Sequence, residues 1–446
     1  MQPLSTTTLP LVLERREKTF TADGGHRSCC PEETLREYAH LIGRSGIIKE
    51  LKRTRPDPFS LLQVQVAHLQ GVLEEGCGMT RVLRSACVGR GITEAQAQAS
   101  ALGEAIERYS GIFRGDEFRI KASYRSLSDD AIHPKACMNF SHNQYRDRDQ
   151  WNRTEADYNW VPEPFDEGRE IEWTPVWSLT QQRFKYVPTA LCYFGYPHSA
   201  EHDFCRPDSN GNAAGNNREE AILHGFLEVV ERDAVALWWY NQAQRPQVEL
   251  GSFDDAYFQS IVELYRLLGL RIHVFDISAD FPIPTFAATS NGKEGNGDWL
   301  FGFGAHLEPR IGIARAITEM NQSLVLSSPG DMPRFYLGEL RDPAFLKPGS
   351  SLPPKIRSNY SQLDNRDLRE DLTACVELAR ERGLEVLVLD QTRADTAMPA
   401  VKVIVPGMRS WWARFAPGRL YQVPVAMGWQ PVPLGEEQLN SCHLIV

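Results

Sequence analysis

Long apolar runs are missing from this chain: nowhere do 18 apolar residues follow one another, so no membrane-spanning helix is expected. Paired cysteines are missing too. The nine present (Cys29, Cys30, Cys77, Cys87, Cys137, Cys192, Cys205, Cys375 and Cys442) are odd in number and scattered, without a CxxC pair. That pattern fits neither a disulfide framework nor a zinc knuckle, and suits a reducing cytoplasm. The opening MQPLSTTTLPLVLERREKTF lacks the charged-then-apolar build of a secretory signal. Positive charge is in deficit, at 48 Lys and Arg against 58 Asp and Glu, which argues against a general nucleic-acid or membrane-surface binder. A phosphate-bearing ligand would then need metal ions or a few well-placed arginines. Signatures of familiar catalysts are also absent: there is no GxxxxGK[ST], HExxH, GxSxG or HRD set, and GNGDWLFGFG (295–304) has the wrong spacing for a dinucleotide fingerprint.

What is there is an ordinary globular composition, 42% apolar and 24% charged over 446 residues, enough for one to three domains. Residues 1–31 read as an irregular lead. A helical pattern broken by Gly43 and Gly46 covers 32–53, and LQVQVAHL (62–69) alternates as a half-buried strand does. A second strand is expected over 82–88, ending in Gly89-Arg90-Gly91. Thr93 and Gln96 then form a capping box that opens a helix ending at Gly111. Residues 114–170 read as a polar surface excursion. Strands are expected at 171–179, 184–196, 271–277, 285–289, 300–304, 384–389 and 401–405, with helices at 217–240, from Pro309, and at 370–382. This is a mixed α/β or α+β protein. GEAIERYS (103–110) weakly echoes LEVVERDA (227–234), 124 residues on.

The stretch SNGNAAGNNREEAILHGFLEVVERDAVALWWY (209–240) stands out. Asn217 and Glu220 have capping-box spacing, and at about 100° per residue Glu220, Glu228 and Glu231 fall within roughly 80° of one another. The neighbours are almost all apolar, so these carboxylates sit on a helix that must be buried, where unpaired charge is costly. His224 on the same helix reads as a packed core residue. The earlier helix carries Ser100, Glu104, Glu107 and Arg108, the first three on one face, and the helix from Pro309 aligns Arg315, Glu319 and Gln322 at i, i+4 and i+7. The plain alternative is that each set is a solvated face stabilised by Glu–Arg pairs. Like charges on a buried face repel, however, and divalent cations relieve both the repulsion and the burial cost. Carboxylates are ligands that Mg²⁺ accepts, one or two per ion with phosphate oxygens completing the shell. Arg108 and Arg232 could neutralise phosphate or orient the glutamates. The chemistry implied is that of a Mg²⁺–nucleotide enzyme of unusual type.

SALGEAIER (100–108) resembles the S-x3-E-x2-ER signature of the YcaO family, and NNREEAILHGFLEVVER (216–232) its N-x3-E-x7-E-x2-ER element. EPRIGIARAITEMNQ (308–322) is similar to that family's P-x5-RA-x2-E-x2-Q helix, and matching stretches run from about residue 46 to 440. The resemblance implies a YcaO-type ATP-binding fold with mixed sheets and long Glu-bearing helices, a lead at 1–45 and a catalytic domain at 46–446. It implies ATP and Mg²⁺ as cofactors, with Glu104, Glu107, Glu220, Glu228 and Glu231 holding metal and Ser100, Arg108, Asn216, Arg232 and Arg315 serving the nucleotide. No catalytic residue beyond these is assigned.

The activity implied is phosphorylation of a peptide backbone amide, above all cyclodehydration of Cys, Ser or Thr to thiazoline or oxazoline in a ribosomally made precursor peptide of the bacteriocin kind. The tail GRLYQVPVAMGW…EEQLN is similar to those of such cyclodehydratases but finishes SCHLIV instead of PxPxP. Thioamide or amidine formation stays open beside azoline formation, as does a catalytically silent maturation scaffold. The partners implied are the precursor peptide and a leader-binding protein of ubiquitin-activating-enzyme-like or winged-helix type, since residues 1–45 are too short for a leader reader. A flavin-dependent dehydrogenase and a homodimer are further associations the family allows. No nucleic acid or membrane partner is expected.

Overall fold

Two short patterns, Gly89-Arg90-Gly91 and Gly302-Phe303-Gly304, set the architecture, because each lets a helix lie directly on a strand. A computed structural model of the chain describes residues 10–21, 25–43, 46–54, 61–69, 86–155, 157–197, 203–291, 298–326, 335–336, 343–349 and 352–444. In it, strands Ile48–Arg53, Gln63–Leu69 and Ala86–Gly91 form an antiparallel sheet in that order, covered by the helix Glu94–Ser110. A Cβ on Gly89 would stand 2.0 Å from Ala101 N and 2.2 Å from Ala97 O, so only glycine permits the contact. The same build recurs. Strands Arg271–Asp276, Thr285–Asn291 and Asp298–Ala305 run antiparallel, with Phe335–Tyr336 added at the edge, and the helix Pro309–Leu326 lies on them. A Cβ on Gly302 would meet Ala316 O at 2.2 Å and Met320 N at 2.3 Å. The molecule thus contains two strand–strand–strand–helix units. The sequence echo between 103–110 and 227–234 does not mark this repeat, since its second half lies on the helix between the units.

That helix, Arg218–Tyr240, is the axis of the molecule. Asn217 caps it, its side chain accepting from Glu220 N at 2.9 Å. One flank packs on the strand Ala400–Ile404 of a six-stranded antiparallel sheet, whose path is Ile120–Ser123, Glu170–Ser178, Leu387–Asp390, Ala400–Ile404 and Asn212–Ala214, with Arg183–Pro188 paired to Glu170–Ser178. Its N-terminal half buries Ile222, Phe226 and Val230 against Val388, Val401 and Leu372. Its C-terminal half buries Val235, Trp238 and Trp239 with Phe275, Phe301 and Phe303. Each such side chain contributes roughly 1.5–3 kcal/mol through burial, which is why a helix bearing five acidic residues stays inside.

Several expectations need correction. The helix expected over 32–53 ends at Glu37, and Ile48–Arg53 is a strand, because pairing with Gln63–Leu69 outweighs local helical pattern. The strand expected over 184–196 stops at Pro188, which has no N–H for the ladder, and a short helix Thr189–Cys192 follows. The strand expected over 82–88 begins at Ala86 among the described residues; 82–85 lie outside them. Residues 114–170 are not simply a surface excursion: Ile132, Met138, Phe140 and Val161 are buried with Trp173 and Leu387. The helices Ala256–Leu267 and Arg419–Ala426 had no sequence expectation; the second contains Pro424 and is held by burial of Leu420 and Val423. The described part of the lead is tied to the rest of the fold by Lys18, which is paired with Asp364 and Asp371, and by Leu368 N donating to Arg16 O at 2.9 Å. Among the described residues no helix is long and apolar enough to cross a membrane, and eight cysteines are free.

Candidate functional site

The glutamate face of Arg218–Tyr240 looks into the crevice between the two repeated units. Arg232 organises one end. It donates to Glu231 Oε1 at 2.7 Å and to Glu228 Oε1 at 3.0 Å, and its guanidinium lies over the Trp411 ring at 3.5 Å. Glu231 Oε2 accepts from Ala305 N at 3.1 Å, so the end of a strand also steers this carboxylate. On the first unit, Glu104 accepts from Val88 N at 3.1 Å and from Arg108 at 2.5 Å. Ser100 lies one turn earlier on the same face, partly buried. Glu107 has no hydrogen-bond or ion-pair partner among the described residues. Burial first, then Glu228 and Glu104, push its carboxyl well above the usual range. Burial likewise lifts Glu231 to about 7 against the pull of Arg232, with Glu319 and Glu228 adding to the rise. The crevice is recessed yet wet, since the Glu104 and Glu228 side chains keep 26% and 25% of their exposure.

Glu220 differs from the other four glutamates, with a side chain only 1% exposed. Its oxygens accept from Arg27 at 3.1 Å, Asn216 Nδ2 at 3.0 Å, Ser28 N at 3.0 Å and Ser28 Oγ at 2.8 Å. Burial alone would raise this carboxyl, but Arg27, His224 and Ser28 together hold it at about 2. Asn216 Oδ1 in turn accepts from Thr34 Oγ1 at 2.8 Å. His224, expected as a core residue, stands beside the site, its Nδ1 3.2 Å from Arg27 Nη1; burial and Arg27 keep it neutral.

Cations crowd the remaining wall. Arg315 makes one hydrogen bond, to Ala305 O at 3.3 Å, and no ion pair among the described residues. Burial, then the nearby charge of Arg27, lower it to about 10, with Arg90 acting in the same direction. Arg90 bridges the units, pairing with Glu319 at 3.2 Å and donating to Gln322 Oε1 at 3.3 Å. Glu319 Oε2 accepts from Phe303 N at 2.5 Å. Sequence reasoning aligned Glu319 with Arg315 but gave it no role, and it passed over Arg27, Ser28 and Arg90. The one signal for Arg90 was its place between two glycines that a helix covers.

The residues fit a metal–nucleotide pair on chemical grounds. An unpaired carboxylate among repelling neighbours gains from a divalent cation, and arginines facing one another gain from an anion. No three acidic, His or Cys side chains converge into a ready cage among the described residues. Mg²⁺ ordinarily takes one or two carboxylates and completes its shell with phosphate oxygens and water.

Comparison with known proteins places this geometry. A family model described as YcaO cyclodehydratase, ATP- and Mg²⁺-binding, matches residues 88–409. A solved heterocyclase in complex with substrate and cofactor is 45% identical, with a TM-score of 0.89, over 97% of this chain and 59% of its own. The heterocyclase TruD is 43% identical, with a TM-score of 0.77, over 97% of this chain and 55% of its own. The chain therefore spans little more than half the length of these two structures. YcaO from Methanopyrus kandleri, bound with AMPPCP and Mg²⁺, shares the fold at 24% identity and a TM-score of 0.63, over 86% of this chain and 92% of its own. The three motifs, the crevice they line and these matches agree: the chain belongs to the YcaO family, which binds ATP and Mg²⁺.

Proposed function

We propose that this chain is an ATP-dependent peptide cyclodehydratase that converts Cys, Ser or Thr to azolines in a precursor peptide. The observation that carries the reading is that Glu107 is crowded by Glu228 and Glu104, and Glu231 by Glu319 and Glu228, while Arg315 stands near both Glu231 and the cations Arg27 and Arg90, so that acidic and basic clusters adjoin as a metal-and-phosphate site requires. In this reading those four glutamates and Glu220 hold Mg²⁺, and Glu220 does so only by releasing some of its contacts to the lead. Ser100, Arg108, Asn216, Arg232 and Arg315 serve the nucleotide. Arg232 keeps Glu228 and Glu231 in register while Trp411 holds its plane.

ATP supplies the phosphoryl group that turns the amide oxygen into a leaving group. The side-chain thiol or hydroxyl adds to the preceding carbonyl carbon and loses its proton. The former carbonyl oxygen takes up the phosphoryl group as the bond to ADP breaks. The carbon–oxygen bond then breaks, phosphate departs, and the ring nitrogen gives up its proton as the C=N bond forms. The peptide loses one water, and ATP becomes ADP and phosphate. The protein's part is positioning and charge stabilisation, the usual burden in phosphoryl transfer.

Substrate capture falls to a leader-binding partner, ubiquitin-activating-enzyme-like or winged-helix in type, and the complex works in the cytoplasm, where free cysteines persist. In support, a large part of each solved heterocyclase chain lies outside the match. Mass spectrometry of Cys-, Ser- and Thr-rich peptides incubated with the chain, a partner and ATP tests the proposal. Loss of one water per modified residue is expected. Exchange of oxygen for sulfur would point to thioamide formation, and absence of ATP consumption to a silent scaffold.

A further inference from the structure

One constant offset in sequence relates equivalent contacts in the two strand–strand–strand–helix units. In the first, a Cβ on Gly89 would meet Ala97 O at 2.2 Å and Ala101 N at 2.0 Å, and Val88 N donates to Glu104 Oε2 at 3.1 Å. In the second, a Cβ on Gly304 would meet Gly312 O at 2.2 Å and Ala316 N at 2.6 Å, and Phe303 N donates to Glu319 Oε2 at 2.5 Å. Every residue of the first set is the same number of positions from its equivalent in the second. Glu319 is thus the structural counterpart of Glu104.

The same offset shows what the second unit lacks. Arg108, which pairs with Glu104 one turn away at 2.5 Å, falls on Ser323. Serine carries no charge, so the helix Pro309–Leu326 gives Glu319 no arginine one turn on. Arg315, one turn before, donates instead to Ala305 O at 3.3 Å. The cation comes from the first unit. Arg90 Nη2 pairs with Glu319 Oε1 at 3.2 Å, and Arg90 Nη1 donates to Gln322 Oε1 at 3.3 Å. Glu319 has no other ion pair among the described residues. Arg90 lies between Gly89 and Gly91, both set against the helix Glu94–Ser110. Alternation along the strand sends the side chain between them out on the opposite face, where the second unit lies.

Stability is a weak reason for this pair. The Arg90 side chain keeps 29% of its exposure, and part-exposed ion pairs add little to folding. Its consequence is local, because Glu319 and Gln322 share a helix face with Arg315, which serves the nucleotide in the proposed reading. The pairs Glu104–Arg108 and Glu228–Arg232 each lie within one helix and need no second element. Glu319–Arg90 exists only when both units are in place. We propose that Arg90 is a positioning residue, which orients the Arg315 face through Glu319 and Gln322 and so couples the docking of the two units to binding of Mg²⁺–nucleotide. This rests on the nucleotide side of the proposed function and not on the fate of the peptide.

Calorimetric binding of Mg²⁺–AMPPCP to the full chain, with no peptide present, tests it. Arg90→Met keeps the reach of the side chain and removes its charge and donors. The affinity should fall about tenfold while the denaturant midpoint stays at the parent's. Arg90→Lys keeps a cation for Glu319 and should stay within about threefold of the parent. Glu319→Gln should itself weaken binding. Adding Arg90→Met to it should then change the affinity by less than about twofold, because the charge on which Arg90 acts is already gone. Independent losses in the double variant would mean that Arg90 meets the nucleotide directly, and would overturn the proposal. Parent affinity in Arg90→Met would overturn it too, as would a loss in Arg90→Lys as large as in Arg90→Met. Failure of Arg90→Met to fold would count against it equally, since the pair would then serve stability. If binding behaves as expected but the peptide never loses water, the positioning role stands and the cyclodehydratase reading falls.

Discussion

Glu228 and Glu107 differ by one neighbour: the first shares the Arg232 guanidinium, whereas the second has none. A carboxylate in the first position is tuned by a fixed cation, and one in the second would, on the proposed reading, gain its charge from Mg²⁺. Glu228→Gln removes a charge while keeping shape and the contact with Arg232. It should abolish ATP turnover, read as phosphate release, and leave peptide capture by the proposed partner unchanged. Turnover at the parent rate would take Glu228 out of the metal site. The spacing of Glu104, Glu107, Glu228 and Glu231 was legible because helical periodicity alone puts them on shared faces. The roles of Arg27, Arg90 and Glu319 were not. Arg27 meets Glu220 across 193 residues of chain, and Arg90 meets Gln322 across 232. No local pattern encodes such a meeting.

At the scale of elements, the two glycine pairs matter more than any cap. They allow the helices Glu94–Ser110 and Pro309–Leu326 to sit on their strands at a distance no side chain permits, and so place Glu104, Arg315 and Glu319 at the crevice. Gly302→Ala puts a methyl group against backbone at 2.2 Å, which cannot yield as a flexible side chain would. A loss of about 1–3 kcal/mol is expected, measurable by denaturant unfolding, together with weaker nucleotide binding as Arg315 and Glu319 shift. Stability and nucleotide affinity both equal to the parent's would show that the helix does not need this contact. The caps at Thr93 and Asn217 were readable in advance, because a capping side chain bonds within three residues of itself. The strand Ile48–Arg53 was not, since its partner lies in another segment and its own residues favour no single state.

At the scale of the whole molecule, the lead closes the site from a distance. Lys18 joins Asp364 and Asp371, His26 contacts Asp364 at 2.8 Å, and Arg15 pairs with Asp367 at 2.9 Å, just before Arg27 and Ser28 reach Glu220. Burial would raise the Asp364 and Asp367 carboxyls, but their partners hold both below the usual 3.8. A carboxyl lowered by folding adds stability above its unfolded value, and that stability is lost as pH falls through the folded one. Asp371 acts in the opposite sense, since burial raises it. Through Asp364 and Asp367 the lead should lose hold in acid, as pH falls below the usual 3.8 and through their lowered values. Pepsin should therefore cut the lead much faster near pH 3 than near pH 5 once each rate is divided by that for an unfolded control peptide, which carries the protease's own pH dependence. An unchanged ratio would mean the lead is held by its apolar contacts instead.

The sequence by itself determined the three long Glu-bearing helices, the caps at Thr93 and Asn217, the alignment of carboxylates on two faces, the family motifs and the glycines that precede two of the helices. Each of these depends on residues within a turn or two of one another, where backbone geometry is nearly the same in any fold. Only the tertiary structure decided that two strand–strand–strand–helix units meet through Arg90, Glu319 and Gln322 beside one buried helix, that a lead read as irregular brings Arg27 and Ser28 to Glu220, and that Arg232 joins Glu228 and Glu231 under Trp411. Those are meetings of segments hundreds of residues apart, settled by which apolar faces can be buried together, and the position of every long-range charge follows from that packing.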